Sequence, residues 1–155
     1  MKTNAMRLLD THDIFYETLT YNLKKDDFDA TQIALENGIP VNLLFKTLVC
    51  TDEINQIIIA VLPSNEQLST KKLEKAAKTE GITLLALDEL LGKTGYMRGG
   101  CSPLAMKKQF TLFFHDSVSL NDLIWVNAGK KGCLIKVELK NLLFLTKGKI
   151  SDIVR

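Results

Sequence analysis

The sequence predicts a mixed α/β protein in which a mixed, largely antiparallel sheet or barrel is wrapped by helices. Its 155 residues match the usual size of one domain, so residues 1–155 are expected to form a single domain. The hydrophobic fraction of 46% and the charged fraction of 25% exclude disordered, collagen-like and disulfide-rich classes. The predicted elements run α-β-α-β-β-α-β-loop-β-β-β-α, which lacks the strict alternation of a doubly wound fold.

The first forty residues contain two short helical patterns and one extended pattern. Apolar side chains between Ala5 and His12 recur with helical spacing, and residues 15–21 alternate as in a strand. Asp29 is a candidate N-cap for a second helix, which is expected to end at Asn37-Gly38 before a proline. We therefore predict the order helix, strand, helix for this part of the chain.

The middle of the chain predicts a hairpin followed by a helix. Residues 45–51 and 56–62 have strand composition, and the second run is rich in β-branched residues, which favours a central strand. Ser69 is a candidate N-cap for a helix whose apolar positions face one side and whose lysines face the other. A short strand over 83–86 and a helical turn over 87–91 follow.

The last third begins with an irregular loop. Thr94–Pro103 holds three glycines and one proline in ten residues, which breaks every periodicity. Residues 110–114, 124–126 and 133–137 then have strand composition, and residues 138–145 favour a closing helix or turn.

Several function classes are excluded at this stage. The longest apolar run, Ile57–Leu62, has six residues, whereas a membrane helix needs about 20. The N-terminus lacks the pattern of a secretion signal, so we expect a cytoplasmic protein without a membrane partner. Cys50, Cys101 and Cys133 have neither disulfide nor zinc-ligand spacing, so we expect free thiols, no metal and no cofactor.

Charge is distributed unevenly along the chain. Residues 1–60 carry five basic and nine acidic side chains, whereas residues 93–155 carry eleven basic and four acidic ones. The densest basic points are Lys107-Lys108 and Lys130-Lys131. Such an imbalance suits a surface that faces a polyanion, and ordinary solvated lysines are the alternative.

The common nucleotide-binding, hydrolase and metalloprotease motifs are missing, and His12 and His115 lie outside any motif. Two other features could carry chemistry. Lys46 shares the strand face of Leu48 and Cys50, where a cation needs an anionic or carbonyl partner unless it reaches solvent at a sheet edge. Gly99-Gly100 could let the backbone approach a ligand and aim N–H groups at an oxyanion, or could simply form a tight turn.

Four different motif blocks lie at a specific spacing along nearly the whole chain. They are Phe45-Lys46-Thr47-Leu48-Val49; Leu68 with Lys71-Lys72-Leu73 and Ala76; Thr94-Gly95-Tyr96-x-x-Gly99-Gly100-x-Ser102-Pro103-x-x-x-Lys107-Lys108; and Gly129-Lys130-Lys131-Gly132. Together they closely resemble the YbaK family of aminoacyl-tRNA deacylases, which is related to the editing domain of bacterial prolyl-tRNA synthetase. The resemblance implies that editing-domain fold. The Thr94-Gly95-Tyr96 block is similar to the branch that removes cysteine from tRNA(Pro).

The resemblance also implies roles for individual residues. It assigns the catalytic position to Lys46 and a substrate-binding role to a further set, namely Tyr21, Thr47, Gly99, Gly100, Cys101, Ser102 and Pro103. With mischarged tRNA(Pro) as the polyanion, Lys107, Lys108, Lys130 and Lys131 become candidate tRNA contacts; DNA is not expected to bind. Proteins of this family are thought to let the substrate's own thiol attack its ester, and to gain tRNA selectivity in a ternary complex with prolyl-tRNA synthetase.

Four departures from the family pattern accompany the match. Asn141 stands where an acidic residue is frequent, Leu134 where some relatives have a small polar residue, and Ala105 and Ala128 where glycine is frequent. The first two leave the amino acid that is removed open. Removal of alanine or serine by a water molecule, and a noncatalytic tRNA- or synthetase-binding module, therefore remain alternatives.

Overall fold

The computed structural model describes residues 1–22 and 29–155. Within them the chain forms five α-helices: α1 Asn4–Thr11, α2 Ala30–Glu36, α3 Thr70–Ala77, α4 Leu87–Thr94 and α5 Leu139–Thr146. A 3-10 turn spans Val41–Leu43. The strands are β1 Glu17–Thr20, β2 Phe45–Thr51, β3 Ile57–Pro63, β4 Thr83–Leu84, β5 Thr111–His115, β6 Leu123–Asn127, β7 Cys133–Glu138 and β8 Lys149–Ser151.

The strands form two sheets. The larger sheet has the order β4-β2-β3-β5-β8, in which β3 and β8 both run parallel to β5. The smaller sheet has the order β1-β7-β6 and is antiparallel throughout. Antiparallel pairing therefore dominates among the described strands, and the predicted mixed, largely antiparallel architecture is confirmed.

The main core is built from apolar side chains of both sheets, together with α1 and α5. Phe45 and Val49 of β2 face this core, whereas Cys50 belongs to a second cluster that is covered by Leu73 of α3. The alternation along β2 is thus the predicted one, with Lys46 on the face opposite Phe45. A third, smaller cluster contains Leu44, Ala34 of α2 and Leu134 of β7.

Local chemistry at the helix starts agrees with the sequence. The Asp29 carboxylate accepts a hydrogen bond from the Thr31 N–H at 3.0 Å, and the Ser69 hydroxyl accepts one from the Lys72 N–H at 3.2 Å. Both predicted N-caps are confirmed. The α1 cap, Thr3, was not predicted from the sequence; its hydroxyl accepts from the Met6 N–H at 3.2 Å.

The predicted element bounds differ from the observed ones in four places. The strand predicted over 15–21 is limited to Glu17–Thr20, the range in which it pairs with β7. The strand predicted over 83–86 is two residues long, and α4 extends to Thr94 rather than ending at Leu91. Strand β8 was not predicted at all, because its three residues carry no periodicity and their pairing with β5 depends on tertiary structure.

Two expectations concern the chain as a whole. Cys50, Cys101 and Cys133 are free thiols, as expected. Over residues 1–22 and 29–155, the helices are too short and too polar to cross a lipid bilayer.

Candidate active site

A cavity of about 350 Å³ lies where β2 faces α2, the smaller sheet and the glycine loop. Its volume is in the range that is usual for small-molecule sites. Its lining residues are Tyr21, Asp29, Ala30, Ile33, Leu44, Phe45, Lys46, Thr47, Leu48, Ser64, Arg98, Gly99, Cys101, Asn127 and Leu134. Five of the residues predicted for catalysis or substrate binding are among them.

Lys46 is the central cation of this cavity. Its Nζ donates a hydrogen bond to the Ser64 carbonyl oxygen at 3.3 Å, an oxygen that also accepts from the Thr31 hydroxyl at 3.1 Å. Burial lowers the pKa of the half-buried Lys46 ammonium, and the charges of Asp29 and Glu66 partly offset that shift. An ammonium has three donors, so Lys46 can still donate to a ligand oxygen while it remains bonded to Ser64.

Tyr21 and Thr47 offer neutral hydroxyl groups to the same cavity. Burial raises the pKa of Tyr21, so its hydroxyl stays protonated at neutral pH. The Thr47 Oγ1 is buried and has no hydrogen-bond partner among the described residues. A buried hydroxyl without a partner is uncommon in proteins, which makes Thr47 available to a polar ligand.

Asn127 connects the glycine loop to the turn after β6. Its Nδ2 donates to the Gly99 carbonyl oxygen at 2.9 Å. Its Oδ1 accepts from the N–H groups of Gly129 at 2.7 Å and Lys130 at 3.1 Å. One side chain therefore sets the position of the loop relative to this turn, and it also lines the cavity.

The tandem glycines have different structural roles. Gly99 lines the cavity and has a φ of +82°, a backbone conformation that favours glycine. Gly100 is buried against the next turn, where a Cβ would lie 3.2 Å from the Lys130 backbone. The Gly100 N–H donates to the Met97 carbonyl oxygen at 2.9 Å. The close approach that Gly100 permits is thus to the protein's own backbone.

Ser102 and Pro103 support the loop from behind. Ser102 is fully buried, and its hydroxyl accepts a hydrogen bond from the Leu104 N–H at 3.2 Å. Pro103 lines a separate hollow. Tyr96 donates a hydrogen bond from its hydroxyl to the Leu104 carbonyl oxygen, which explains the tyrosine of the Thr94-Gly95-Tyr96 block as a loop support. Neither Ser102 nor Pro103 lines the candidate active site.

The cavity contains no activated nucleophile among its described side chains. Burial raises the pKa of the Cys101 thiol to about 12, so this thiol is protonated at neutral pH and is a poor nucleophile. His12 is the C-cap residue of α1 and contacts Phe144 edge-on, with ring centroids 6.1 Å apart. His115 accepts from the Ile153 N–H at 3.3 Å, so neither histidine lines the cavity.

The four lysines predicted to contact tRNA fall into two places. Lys130 and Lys131 follow Asn127 and pack their backbone against Gly100, beside the cavity. Lys107 and Lys108 line other hollows, together with Phe110. The structure therefore does not bring the two pairs into a single site.

Four polar lining residues, Asp29, Ser64, Arg98 and Asn127, were not predicted as site residues, and two departures are now placed. Arg98 and Asn127 were not identified from the sequence, and Asp29 was identified only as an N-cap. An asparagine shortly before a glycine turn, as at Asn127, is a recognisable turn signal. Leu134 forms an apolar part of the lining and is 3% exposed. Asn141 lies on α5 and does not line the cavity, so its expected influence on the pocket is absent.

The other two departures have backbone explanations. Ala105 has a φ of +57°, a conformation that glycine adopts more easily than alanine. Ala128 is fully buried, directly before the Gly129 turn. Neither substitution disturbs the lining of the cavity.

The described lining combines a half-buried cation, two neutral hydroxyls and a glycine loop without an activated side-chain nucleophile, a set of groups whose chemistry suits a carbonyl or phosphate compound. The sequence profile of the aminoacyl-tRNA editing domain matches residues 25–145. The chain therefore belongs to the aminoacyl-tRNA editing domain family, and the resemblance noted in the sequence is confirmed.

Individual relatives agree with this assignment. A protein of Enterococcus faecalis (strain ATCC 700802 / V583) with the provisional name Cys-tRNA(Pro)/Cys-tRNA(Cys) deacylase EbsC is 38% identical over 152 residues, which cover 98% of this chain and 93% of that protein. A crystallised hypothetical protein is 18% identical with a TM-score of 0.86, over 99% of this chain and 100% of its own. A crystallised protein provisionally described as a trans-editing enzyme for prolyl-tRNA synthetase is 20% identical with a TM-score of 0.81. The match covers 100% of this chain and 99% of that protein. These two similarities establish the fold.

Proposed function

We propose that this chain is a trans-acting editing deacylase that removes cysteine from mischarged tRNA(Pro), with residues 1–155 acting as a single editing domain. The observation that carries the proposal is the cavity at Lys46, which offers donors for an ester and lacks an activated side-chain nucleophile. The name of the Enterococcus faecalis relative supports cysteine as the amino acid.

The chemistry of such a site suits a substrate that brings its own nucleophile. The cysteinyl thiol sulfur attacks the carbonyl carbon of its ester, and the carbon–oxygen bond to the terminal ribose breaks. The thiol proton passes to the leaving ribose oxygen. The products are tRNA with a free hydroxyl and a cyclic cysteine thiolactone, so no water or cofactor is consumed.

The protein supplies position and charge stabilisation to this reaction. Lys46 donates to the carbonyl oxygen as it becomes negative, and Thr47 and Tyr21 orient the aminoacyl group. The Gly100 N–H is already bonded to Met97, so the loop donors available to the oxyanion are the N–H groups of Gly99 and Cys101. The apolar part of the lining, with Ile33 and Leu134, packs against the thiol-bearing side chain.

Prolyl-tRNA synthetase is the proposed protein partner. The cavity has room for an aminoacyl group but cannot itself read the identity of a whole tRNA. A complex with the synthetase would supply that selectivity, and the description of one structural relative as a trans-editing enzyme for this synthetase supports the idea. A cytoplasmic location follows from such a role.

The deciding experiment compares cysteinyl-, alanyl- and seryl-tRNA(Pro) as substrates, with remaining charge measured on acid gels. We expect cysteinyl-tRNA to lose its amino acid at least 100-fold faster than seryl-tRNA, because the two esters differ only in sulfur against oxygen. Equal rates would identify a water molecule as the nucleophile. Binding of tRNA without cleavage of any of the three would identify a noncatalytic module.

A further inference from the structure

Three hollows meet around Phe110 and share no lining residue with the candidate active site. Their volumes are about 210, 270 and 390 Å³. Phe110 lines all three, and Gln109 lines two of them. The three hollows are therefore neighbours around this aromatic residue, and together they are called the depression.

Five lysines surround the depression, and we call this surface the lysine groove. They are Lys93, Lys107, Lys108, Lys147 and Lys149. All five are exposed, and none forms an ion pair with a carboxylate in the described ranges 1–22 and 29–155. Elsewhere in those ranges Lys2, Lys72, Lys136 and Lys140 are paired with carboxylates, whereas Lys71, Lys75 and Lys78 of α3 and its C-terminus form no ion pair with a described residue.

Acidic side chains are excluded from the lining of these hollows. The four carboxylates of residues 93–155 have partners elsewhere: Asp116 and Asp152 lie beside His115, Asp122 accepts from the Ser119 N–H at 2.7 Å, and Glu138 pairs with Lys140 at 3.3 Å. Among the described residues the hollows are thus lined by lysines and by no carboxylate, which favours an anion as their ligand.

The placement of the lysines suits a polymer better than a small anion. Lys93 lies in the last turn of α4, and Lys107 and Lys108 lie in the segment before β5. Lys147 is the C-cap residue of α5, and Lys149 is the first residue of β8. Three separate segments thus present charge around one depression. A chain of phosphates offers one anionic group to each of these segments.

The glycine loop links the lysine groove to the candidate active site. Gly99 and Cys101 line the cavity at Lys46, and Pro103 and the residues after it line the hollows. The chain thus passes from the lining of the cavity to the lining of the hollows within residues 99–110, by way of the buried residues Ser102, Pro103 and Leu104.

We propose that the lysine groove binds the phosphate backbone of the tRNA, away from its aminoacylated end. The proposal rests on the proposed function for its choice of polyanion. It adds Lys93, Lys147 and Lys149 to the tRNA contacts, and it assigns Lys107 and Lys108 to this second contact rather than to the rim of the cavity.

The test is a triple variant, Lys93→Gln, Lys147→Gln and Lys149→Gln, which leaves Lys107 and Lys108 in place. The matched control is Lys71→Gln, Lys75→Gln and Lys78→Gln, which removes the same charge from lysines of α3 and its C-terminus that line none of these hollows. The probe is an uncharged tRNA(Pro) transcript, and its Kd is measured over a series of KCl concentrations.

We expect the groove variant to weaken binding at least tenfold at 0.1 M KCl and to reduce the salt slope by about 2, at roughly 0.7–0.9 per lost phosphate contact. The control triple should keep the wild-type slope. Equal losses in both triples, or an unchanged slope in the groove variant, would overturn the proposal. Because binding of uncharged tRNA is measured, the result stands even if the wild-type protein fails to deacylate any substrate.

Discussion

Lys46 differs from an ordinary solvated lysine in its surroundings. It is half-buried, its Nζ donates to the Ser64 carbonyl oxygen, and burial lowers its pKa. Strand β4 pairs only with Cys50 and Thr51, so beside Lys46 strand β2 has a neighbour on one side, but the ammonium is bonded to the Ser64 carbonyl oxygen rather than extended into solvent. A cation held in this way is preorganised to meet a ligand oxygen rather than to solubilise the surface.

The first prediction concerns the side chain of Lys46. Lys46→Ala should lower the single-turnover deacylation rate at least about 100-fold, or about 2.7 kcal/mol of barrier, because the carbonyl oxygen loses its donor. The melting temperature should change little. Lys75→Ala on the exposed face of α3 and Cys101→Ser should both keep near wild-type rates. Near wild-type activity in Lys46→Ala would remove this residue from the mechanism.

The second prediction concerns Asn127 as a positioning residue. Asn127→Asp keeps an oxygen that accepts from Gly129 and Lys130 but replaces the donor to the Gly99 carbonyl oxygen. We expect kcat to fall about tenfold, or about 1.4 kcal/mol, with KM and melting temperature close to wild type. A purely structural role would instead lower the melting temperature and leave the kcat of the folded fraction unchanged. The comparison variant is Asn127→Ala, which loses all three hydrogen bonds of the Asn127 side chain.

Single elements explain how these residues are positioned. The β2–β3 hairpin pairs Lys46 with Leu62 of the central strand β3, and the buried β3 fixes that register. The glycine loop has no periodicity, and its shape depends on contacts with the turn after β6. A rigid strand therefore carries the cation, and a loop that is bonded to a turn carries the backbone donors.

The third prediction tests this contact between loop and turn. Gly100→Val should inactivate the enzyme by more than about 100-fold and cost roughly 1–3 kcal/mol of stability, because the new side chain meets the Lys130 backbone. Gly92→Ala is the control, since a Cβ there meets nothing within 4 Å and alanine favours α4 by up to about 1 kcal/mol. Rates and urea midpoints are measured for both; an active Gly100→Val enzyme would contradict the predicted rigidity of the loop.

At the scale of the whole molecule, burial of neutral titratable groups makes stability depend on alkaline pH. Burial raises the pKa of Cys50, Cys101 and Tyr96 to about 12 in each case, from ordinary values of 9.0 for the thiols and 10.0 for the phenol. As the pH rises above about 9, the unfolded state therefore loses the protons of these groups while the folded state still holds them. Their contribution to stability is complete below about pH 9 and is lost as the pH rises towards 12.

The fourth prediction follows from this loss of stability at alkaline pH. The free energy of unfolding should fall between about pH 9 and pH 12, and urea midpoints at pH 8, 9, 10 and 11 measure the decrease. Cys101→Ser lacks a titrating thiol, so its decrease should be smaller than that of the wild type. Parallel curves for the two proteins would show that the Cys101 thiol ionises alike in the folded and unfolded states.

The sequence by itself determined the elements with strong local signals. The N-caps Asp29 and Ser69, the β-branched strand predicted over 56–62 and observed over 57–63, and the face of Lys46 depend on residues close in sequence, so propensity and periodicity suffice. The motif blocks around Lys46 and Gly99 likewise indicated the family before any contact was known.

Only the tertiary structure decided which residues meet. Strand β8 exists because β5 offers it a partner, and Asn127 reaches Gly99 across 28 positions of the chain. The loop also separates Gly99, which lines the cavity, from Gly100, Ser102 and Pro103, which support it. The physical reason is that burial and hydrogen bonding between distant segments depend on packing, which local sequence patterns do not encode.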